Sequence, residues 1–398
     1  MKVRLAFYVV ITTFFQACLS SGFETVGVCN AQVPAQQWNR GIKAGWNLGN
    51  QLECGVAGID NESTVISNPK DAIFAETAWG NPVVTKKMIK AVRDAGFDAV
   101  RIPVRWQHHI TNAQAMSIDH AWMDRVKEVV DWCLEYDMKV IINTHHEKWL
   151  ESRPLNQFKQ ENCQKLALLW LNIASEFASY DSRLAFAGTN EVHEPGNWGK
   201  PTAENLEVQN AYNQTFVDIV RSTGGNNLKR NLIIQTYACN PEYGLYSGDF
   251  VVPIDIVGNG NSYMSVEFHY YVPWDYCGEG SRFFWGGPYS QYGGASAQDE
   301  AVMKALFEKV SDAWAAKGLG VVIGEWGVTD HYMPGQKEVG RQDITYYCRR
   351  LVSLAHEYGF STFVWDNNHF GNGADMFGIF DRGKDMKPVA DWVLNGIF

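Results

Sequence analysis

The sequence predicts an α/β fold, a (β/α)8 TIM barrel in a single domain, on three observations. Eight short, apolar, β-branched runs alternate with helical patterns, as strands inside a helical jacket should. Nearly every run ends in ionisable or aromatic residues. No internal repeat, low-complexity linker or heptad run divides the series.

The first strand is expected at residues 42–47, after a polar leader over 21–37. Thr85 is placed to cap a helix ending near Ala95, with Gly96 as its stop. Ala99–Ile102 reads as the second strand. The helix expected at 119–136 repeats Met123, Val126, Val130 and Leu134 on one face. A third strand follows at 138–143, a helix at 158–178, a fourth strand at 184–188, a helix at 207–222 and a fifth strand at 232–235. After an irregular Pro/Gly stretch come a sixth strand at 264–268, a helix at 299–316, a seventh strand at 321–323, a helix at 341–358 and the eighth strand at 360–364. The long insertions 50–81 and 271–297 are expected on the catalytic face, the second as a cleft wall.

The chain of 398 residues and 44.8 kDa, 46% hydrophobic and 20% charged, can bury one large core. A net charge of -10 disfavours nucleic acid or an anionic membrane as partner, because either needs a concentrated basic surface. Residues 1–20 read as an export signal. Lys2 and Arg4 begin it, an apolar run from Leu5 to Ala17 follows, and mostly small residues close it. That run is too short to span a bilayer comfortably. The expected product is a secreted, soluble monomer whose catalytic domain spans 38–398, with a lipid anchor at Cys18 on a bacterial cell surface as the alternative. Cys29, Cys54, Cys133, Cys163, Cys239, Cys277 and Cys348 remain beyond the signal, an odd number, so at least one is unpaired within the chain.

In a parallel barrel every strand delivers its C-terminal residues to one mouth. Those ends bring Asn50 and Glu53; Arg101 and Trp106; His145, His146 and Trp149; Asn190 and Glu191; Tyr237; His269 and Tyr271; Glu325 and Trp326; and Trp365, Asp366 and Asn367. Glu191 and Glu325 are the informative pair. Glycoside cleavage needs two carboxyl groups flanking one bond, roughly 5 Å apart if the anomeric configuration is retained. Such a pair supplies acid, nucleophile and base, so neither metal nor organic cofactor is expected.

At these residues the chain resembles glycoside hydrolase family five, the retaining β-glycanases, especially its endo-β-1,4-glucanase and xyloglucanase branch, subfamily four. The matching segments are Gly45-Trp46-Asn47-Leu48-Gly49-Asn50, Glu76-Thr77-Ala78-Trp79-Gly80-Asn81-Pro82, Val100-Arg101-Ile102-Pro103-Val104, Asn143-Thr144-His145-His146, Asn190-Glu191, His269-Tyr270-Tyr271, Gly324-Glu325-Trp326-Gly327 and Phe363-Val364-Trp365. The resemblance implies that Glu191 is the acid/base and Glu325 the nucleophile. It places Arg101 and Tyr271 beside the nucleophile, His145 and His269 along the cleavage subsite with His146 next to them, and Asn190 on the sugar 2-hydroxyl. Trp365 would be the stacking platform, with Asn50 and Glu53 further along on the non-reducing side.

The implied activity is that of an endo-β-1,4-glucanase acting on cellulose-like glucans through a covalent glycosyl-enzyme. Xyloglucan, mixed-linkage glucan, mannan and xylan are the alternative substrates. On this assignment Arg101 should keep Glu325 ionised while Glu191 holds its proton. One departure stands out: Val192 follows Glu191 where the family commonly has proline. This leaves open the loop path, and whether His193 or Trp198 reaches the aglycone side.

From another class, a glycan-binding barrel without activity would not require Glu191, Glu325, Arg101 and Asn190 together. A zinc hydrolase built on His108-His109, His145-His146 and His193 is disfavoured, since adjacent strand residues face opposite ways and no His-Glu-x-x-His is present. Asn61-Glu62-Ser63 and Asn213-Gln214-Thr215 match glycosylation sequons.

Overall fold

A computed structural model describes residues 32–55, 75–151, 153–246, 248, 250–371 and 373–398. The expected signal, Cys18, Cys29 and the first sequon lie outside the described residues. Eight parallel strands close into a barrel in chain order: β1 Gly45–Leu48, β2 Ala99–Ile102, β3 Lys139–Asn143, β4 Leu184–Ala187, β5 Leu232–Gln235, β6 Met264–Tyr270, β7 Gly320–Trp326 and β8 Ser361–Asp366, with β8 pairing β1. Every strand residue is buried except Lys139 at the start of β3, because side chains fill the barrel inside and helices cover it outside. Among the described residues no helix is long and apolar enough to cross a membrane.

Three strands run past their expected ends. β6, β7 and β8 extend through His269, Glu325 and Trp365, so these residues stand on rigid sheet and not in loops. The register of β7 slips against both neighbours: Phe268 faces Ile323 whereas His269 faces Glu325, and Thr362 faces Ile323 whereas Val364 faces Trp326. The residue passed over on β7 is Gly324. A side chain there would put a Cβ 1.8 Å from Glu267 Oε1, so only glycine fits. The bulge re-aims Glu325.

The leader differs from expectation. Residues Ala35–Arg40 form a helix lying across the N-terminal end of the barrel, with Ala35, Trp38 and Asn39 buried. Trp38 Nε1 donates to Ser182 O at 2.8 Å, and Asn39 Nδ2 donates to Ser265 Oγ at 2.9 Å. Trp38 is therefore a plug, which the polar residues around it conceal in the sequence. Helix Ala203–Ser222 begins four residues earlier than expected, because Thr202 and Asn205 cap each other's backbone N–H groups. The short C-terminal helix Asp391–Ile397 was not anticipated.

The second sequon is closed off. Asn213 is fully buried in helix Ala203–Ser222, and its Nδ2 donates to Gln235 O at 2.9 Å. All six described cysteines, Cys54, Cys133, Cys163, Cys239, Cys277 and Cys348, are buried and unpaired.

Candidate active site

Arg101 on β2 organises the mouth from beneath. Its Nη1 donates to Glu325 Oε1 at 2.8 Å and to Asn47 Oδ1 at 3.0 Å, while Nη2 donates to Asn190 Oδ1 at 2.9 Å. Its Nε forms an ion pair with Glu267 Oε1 at 3.0 Å. Arg101 is fully buried, so it contacts the glutamate and asparagine of the site and leaves the substrate to them. Burial works against its charge, and Glu267 and Glu325 more than restore it.

Glu267 is the residue the sequence reading missed. It is fully buried on β6, paired with Arg101, and accepts from Gln235 Nε2 at 2.7 Å. A carboxylate inside the apolar run Met264–Tyr270 was the signal. Asn47 was passed over in the same way: besides accepting from Arg101, its Nδ2 donates to Gly324 O at 2.9 Å and Phe363 O at 3.1 Å.

Glu191 and Glu325 face each other above this clamp. One oxygen of each, together with a ring nitrogen of His269, fit within 4.8 Å of one another. Oxygens this close lie on the side of the spacing of about 5–5.5 Å between carboxyl groups that retain configuration, and well inside the roughly 6.5–9.5 Å that inversion needs. The side chain of Glu191 is 25% exposed and that of Glu325 8%. Tyr271 Oη donates to Glu325 Oε2 at 3.3 Å. The same three residues are, among the described residues, the one group placed so that it could hold a metal ion.

The proton is distributed otherwise than expected. His269 Nδ1 lies 2.6 Å from Glu191 Oε1 and 3.6 Å from Glu325 Oε2. Burial raises the Glu191 carboxyl, and the hydrogen bond and charge of His269 outweigh it, so Glu191 falls below the ordinary carboxylate value. Glu325 moves up, because burial exceeds the pull of His269 and Arg101. Burial also opposes a charge on His269, yet contact with Cys239, Glu325 and Glu191 lifts it well above an ordinary histidine. The expectation that Glu191 itself holds the proton overlooked this histidine. With Glu191 lowered and His269 raised, the 2.6 Å contact between them favours the proton on His269.

The remaining candidates divide. His145 stays neutral, held below its ordinary value by burial and then by His146, and its Nδ1 accepts from Asn143 Nδ2 at 3.1 Å. Its ring is within 10° of parallel to that of Trp365, with centroids 6.1 Å apart. His146 adopts a left-handed backbone with φ 57°, and Asn50 likewise with φ 55°. Such conformations, each costing on the order of 1–3 kcal/mol, gather at working sites. Glu53, expected along the cleft, is fully buried and accepts from the backbone N–H groups of Asn50 and Gln51. It shapes the turn that presents Asn50 and does not itself reach a ligand. Trp106, Trp149 and Tyr237 are also buried and structural: Trp106 Nε1 donates to Asn143 O, Trp149 Nε1 to Glu147 Oε2, and Tyr237 Oη accepts from Glu194 N.

Comparison with known proteins places the chain in a family. A family model described as cellulase, glycosyl hydrolase family 5, matches residues 61–371. The chain is 33% identical over 384 residues to endoglucanase A of Paenibacillus barcinonensis, covering 92% of this chain and 90% of that protein. It is 36% identical over 293 residues to a xyloglucan-specific endo-β-1,4-glucanase of Bacteroides ovatus, covering 72% of this chain and 55% of that one. Among solved structures, a broad-specificity endoglucanase of Ruminococcus champanellensis with bound cellotriose superposes with a TM-score of 0.78 at 32% identity, covering 92% of this chain and 99% of that one. A lichenase from Caldicellulosiruptor gives 0.80 at 30% identity, covering 94% and 97%.

Proposed function

The chain belongs to glycosyl hydrolase family 5, and from that premise we propose that it cleaves β-1,4-glucan chains internally with retention of configuration, Glu325 acting as nucleophile and Glu191 as acid/base. It is a glycoside hydrolase of the cellulase type. The observation that carries the retaining reading is the approach of one oxygen of each carboxylate within 4.8 Å, with Arg101 bonded to Glu325 and not to Glu191.

The sequence of events follows from these contacts. A glucan entering the mouth separates Glu191 from His269, returning the proton to Glu191 for the leaving oxygen. Glu325, held by Arg101 and Tyr271, attacks the anomeric carbon. Its negative charge is consumed in the new bond, which favours an ionised Glu191 and lets it deprotonate the attacking water. Asn190, with Oδ1 committed to Arg101 and Nδ2 at 3.4 Å from His145 Nε2, has one amide hydrogen left for the sugar 2-hydroxyl. His145 and Trp365 line the same subsite, and Asn50 extends it. Export by the basic and apolar N-terminal segment fits a polymer substrate too large to enter a cell, and a single closed barrel completes this site without a second copy.

Hydrolysis of cellulose, mixed-linkage glucan, xyloglucan, mannan and xylan side by side ranks these substrates.

The roles are tested by removing each glutamate. Glu325→Ala should lose turnover on every substrate. Glu191→Ala should keep glycosylation by an activated aryl cellobioside, stall at deglycosylation, and recover with azide to give a β-glycosyl azide. Rescue of Glu325→Ala to an α-azide would reverse the assignment.

A further inference from the structure

The turn after β5 grips the segment that carries Glu191. Ala238 and Cys239 both adopt the left-handed backbone, with φ 53° and 48°, a strain that two successive residues with side chains accept only when their surroundings impose it. The surroundings here are the backbone on either side of Glu191. Ala238 N donates to Val192 O at 2.9 Å, Glu194 N donates to Tyr237 Oη at 3.0 Å, and Cys239 Sγ donates to Asn190 O at 3.3 Å. Between them, His193 Nδ1 donates to Glu191 O at 2.6 Å. Each carbonyl from Asn190 to Val192 is thereby held, and the two that flank Glu191 are held by this one turn.

Cys239 reaches further than its neighbours. It is fully buried, and its sulfur also makes a side-chain contact with the imidazole of His269. That imidazole bonds Glu191 Oε1 through Nδ1 at 2.6 Å, whereas its Nε2 stands 3.5 Å from Glu267 Oε1 and makes no hydrogen bond to an oxygen. One sulfur therefore touches both the carbonyl that precedes the acid/base and the ring that partners its carboxylate. A thiol suits this place, since it can donate weakly to one group while accepting weakly from the other. A cysteine that only fills space looks different: Cys133, in helix His120–Glu135, is buried in the apolar core, and burial alone perturbs its thiol.

We propose that Cys239 is a positioning residue for the acid/base: its thiol seats the Asn190 carbonyl against the His269 imidazole and so fixes where the carboxyl of Glu191 stands. The proposal rests on the acid/base role of Glu191. Glu325 takes its aim from other groups, the guanidinium of Arg101, the hydroxyl of Tyr271 and the bulge at Gly324, so Cys239 acts on proton transfer more than on nucleophilic attack. Proton donation by a placed side chain contributes about 10²–10⁴-fold when the leaving group is a sugar hydroxyl. An activated phenol departs without it.

The test uses the full chain and compares kcat/KM, which reports glycosylation, on cellotetraose and on a dinitrophenyl cellobioside. Cys239→Ala should lower kcat/KM for cellotetraose about tenfold, while that for the aryl cellobioside stays within about twofold of the parent. On the aryl substrate kcat and KM should fall together, because deglycosylation still needs Glu191 as base. Cys239→Ser should give a smaller effect in the same sense, since a hydroxyl bonds best at about 2.7–2.8 Å and cannot hold both contacts at the present spacing. It carries the same comparison should Cys239→Ala fail to fold. Equal falls in kcat/KM on the two substrates, the mark of a merely structural role, or no fall on cellotetraose, overturn the proposal. A reversed azide result with the glutamate variants overturns the acid/base reading instead, so the two failures are told apart.

Discussion

His269 Nδ1 stands 2.6 Å from Glu191 Oε1, and this contact governs how the site titrates. His269 is held well above an ordinary histidine value, and its charge brings Glu191 below the ordinary carboxylate value while only partly offsetting the burial that raises Glu325. Removing it acts on two limbs of the pH profile with opposite signs. In His269→Gln, Glu325 loses a neighbouring positive charge and its pKa rises, moving the acid limb up. The acid then depends on Glu191 alone, and the alkaline limb moves down. The expected outcome is a bell in kcat/KM narrowed from both sides, with lower peak activity. A bell of unchanged width would show that His269 carries no proton in the working range.

Glu267 and Gly324 should fail together. Glu267→Gln leaves Arg101 with one fewer carboxylate in a fully buried setting, a loss of about 3–5 kcal/mol for a broken buried pair. Gly324→Ala drives a Cβ into the same carboxylate. Denaturant unfolding should place both variants well below the parent, with activity lost beyond what unfolding explains because Glu325 is no longer aimed. Parent-like stability in Glu267→Gln would mean that the clamp is redundant.

Trp365 is only 8% exposed, so its replacement has a dual effect. Trp365→Ala should cost about 3–5 kcal/mol from the cavity it leaves, and should also lower kcat/KM on polysaccharide more than 100-fold. Trp365→Phe should recover stability more fully than activity. Equal recovery of the two, read by thermal melting and by rate, would reduce Trp365 to a barrel plug.

Asp343 ties the 271–297 insertion to helix Lys337–Glu357, accepting from Tyr276 Oη at 2.7 Å and Trp285 N at 3.1 Å. Burial raises its carboxyl to about 7, only partly countered by those donors. A carboxyl raised on folding binds more protons in the native state, so its effect on stability is fully felt above that value and relieved as pH falls toward its unfolded pKa. The parent should lose stability between about pH 4 and 7 from this group, and Asp343→Asn, which keeps an acceptor for Trp285, should flatten the curve. Unfolding midpoints across that range that run parallel for the two proteins would contradict this.

The barrel was legible because its signals are local. Eight apolar runs and the helical period between them are set by residues that neighbour one another in the chain. The two glutamates were legible for the same reason, each standing at the close of a β-branched run. What escaped depends on which side chains converge from distant strands. Glu53 looks like a cleft carboxylate until its oxygens are seen on the N–H groups of Asn50 and Gln51. Glu267 looks like an anomaly within β6 until Arg101 arrives from β2. The position of the acid proton needed the 2.6 Å contact between β6 and the loop after β4, which no spacing encodes. Residues Ala35–Arg40 read as leader because a six-residue plug shows too little periodicity to declare itself.

The guanidinium of Arg101 touches residues from β1, from β6, from β7 and from the loop after β4, whereas Trp365, the proposed sugar platform, is carried by β8. Bond breaking and polymer choice are therefore written in different parts of the molecule. Rim segments can be exchanged between relatives to retarget the enzyme, and the engineer who leaves the strand bearing Gly324 and the four partners of Arg101 untouched inherits a working hydrolase each time.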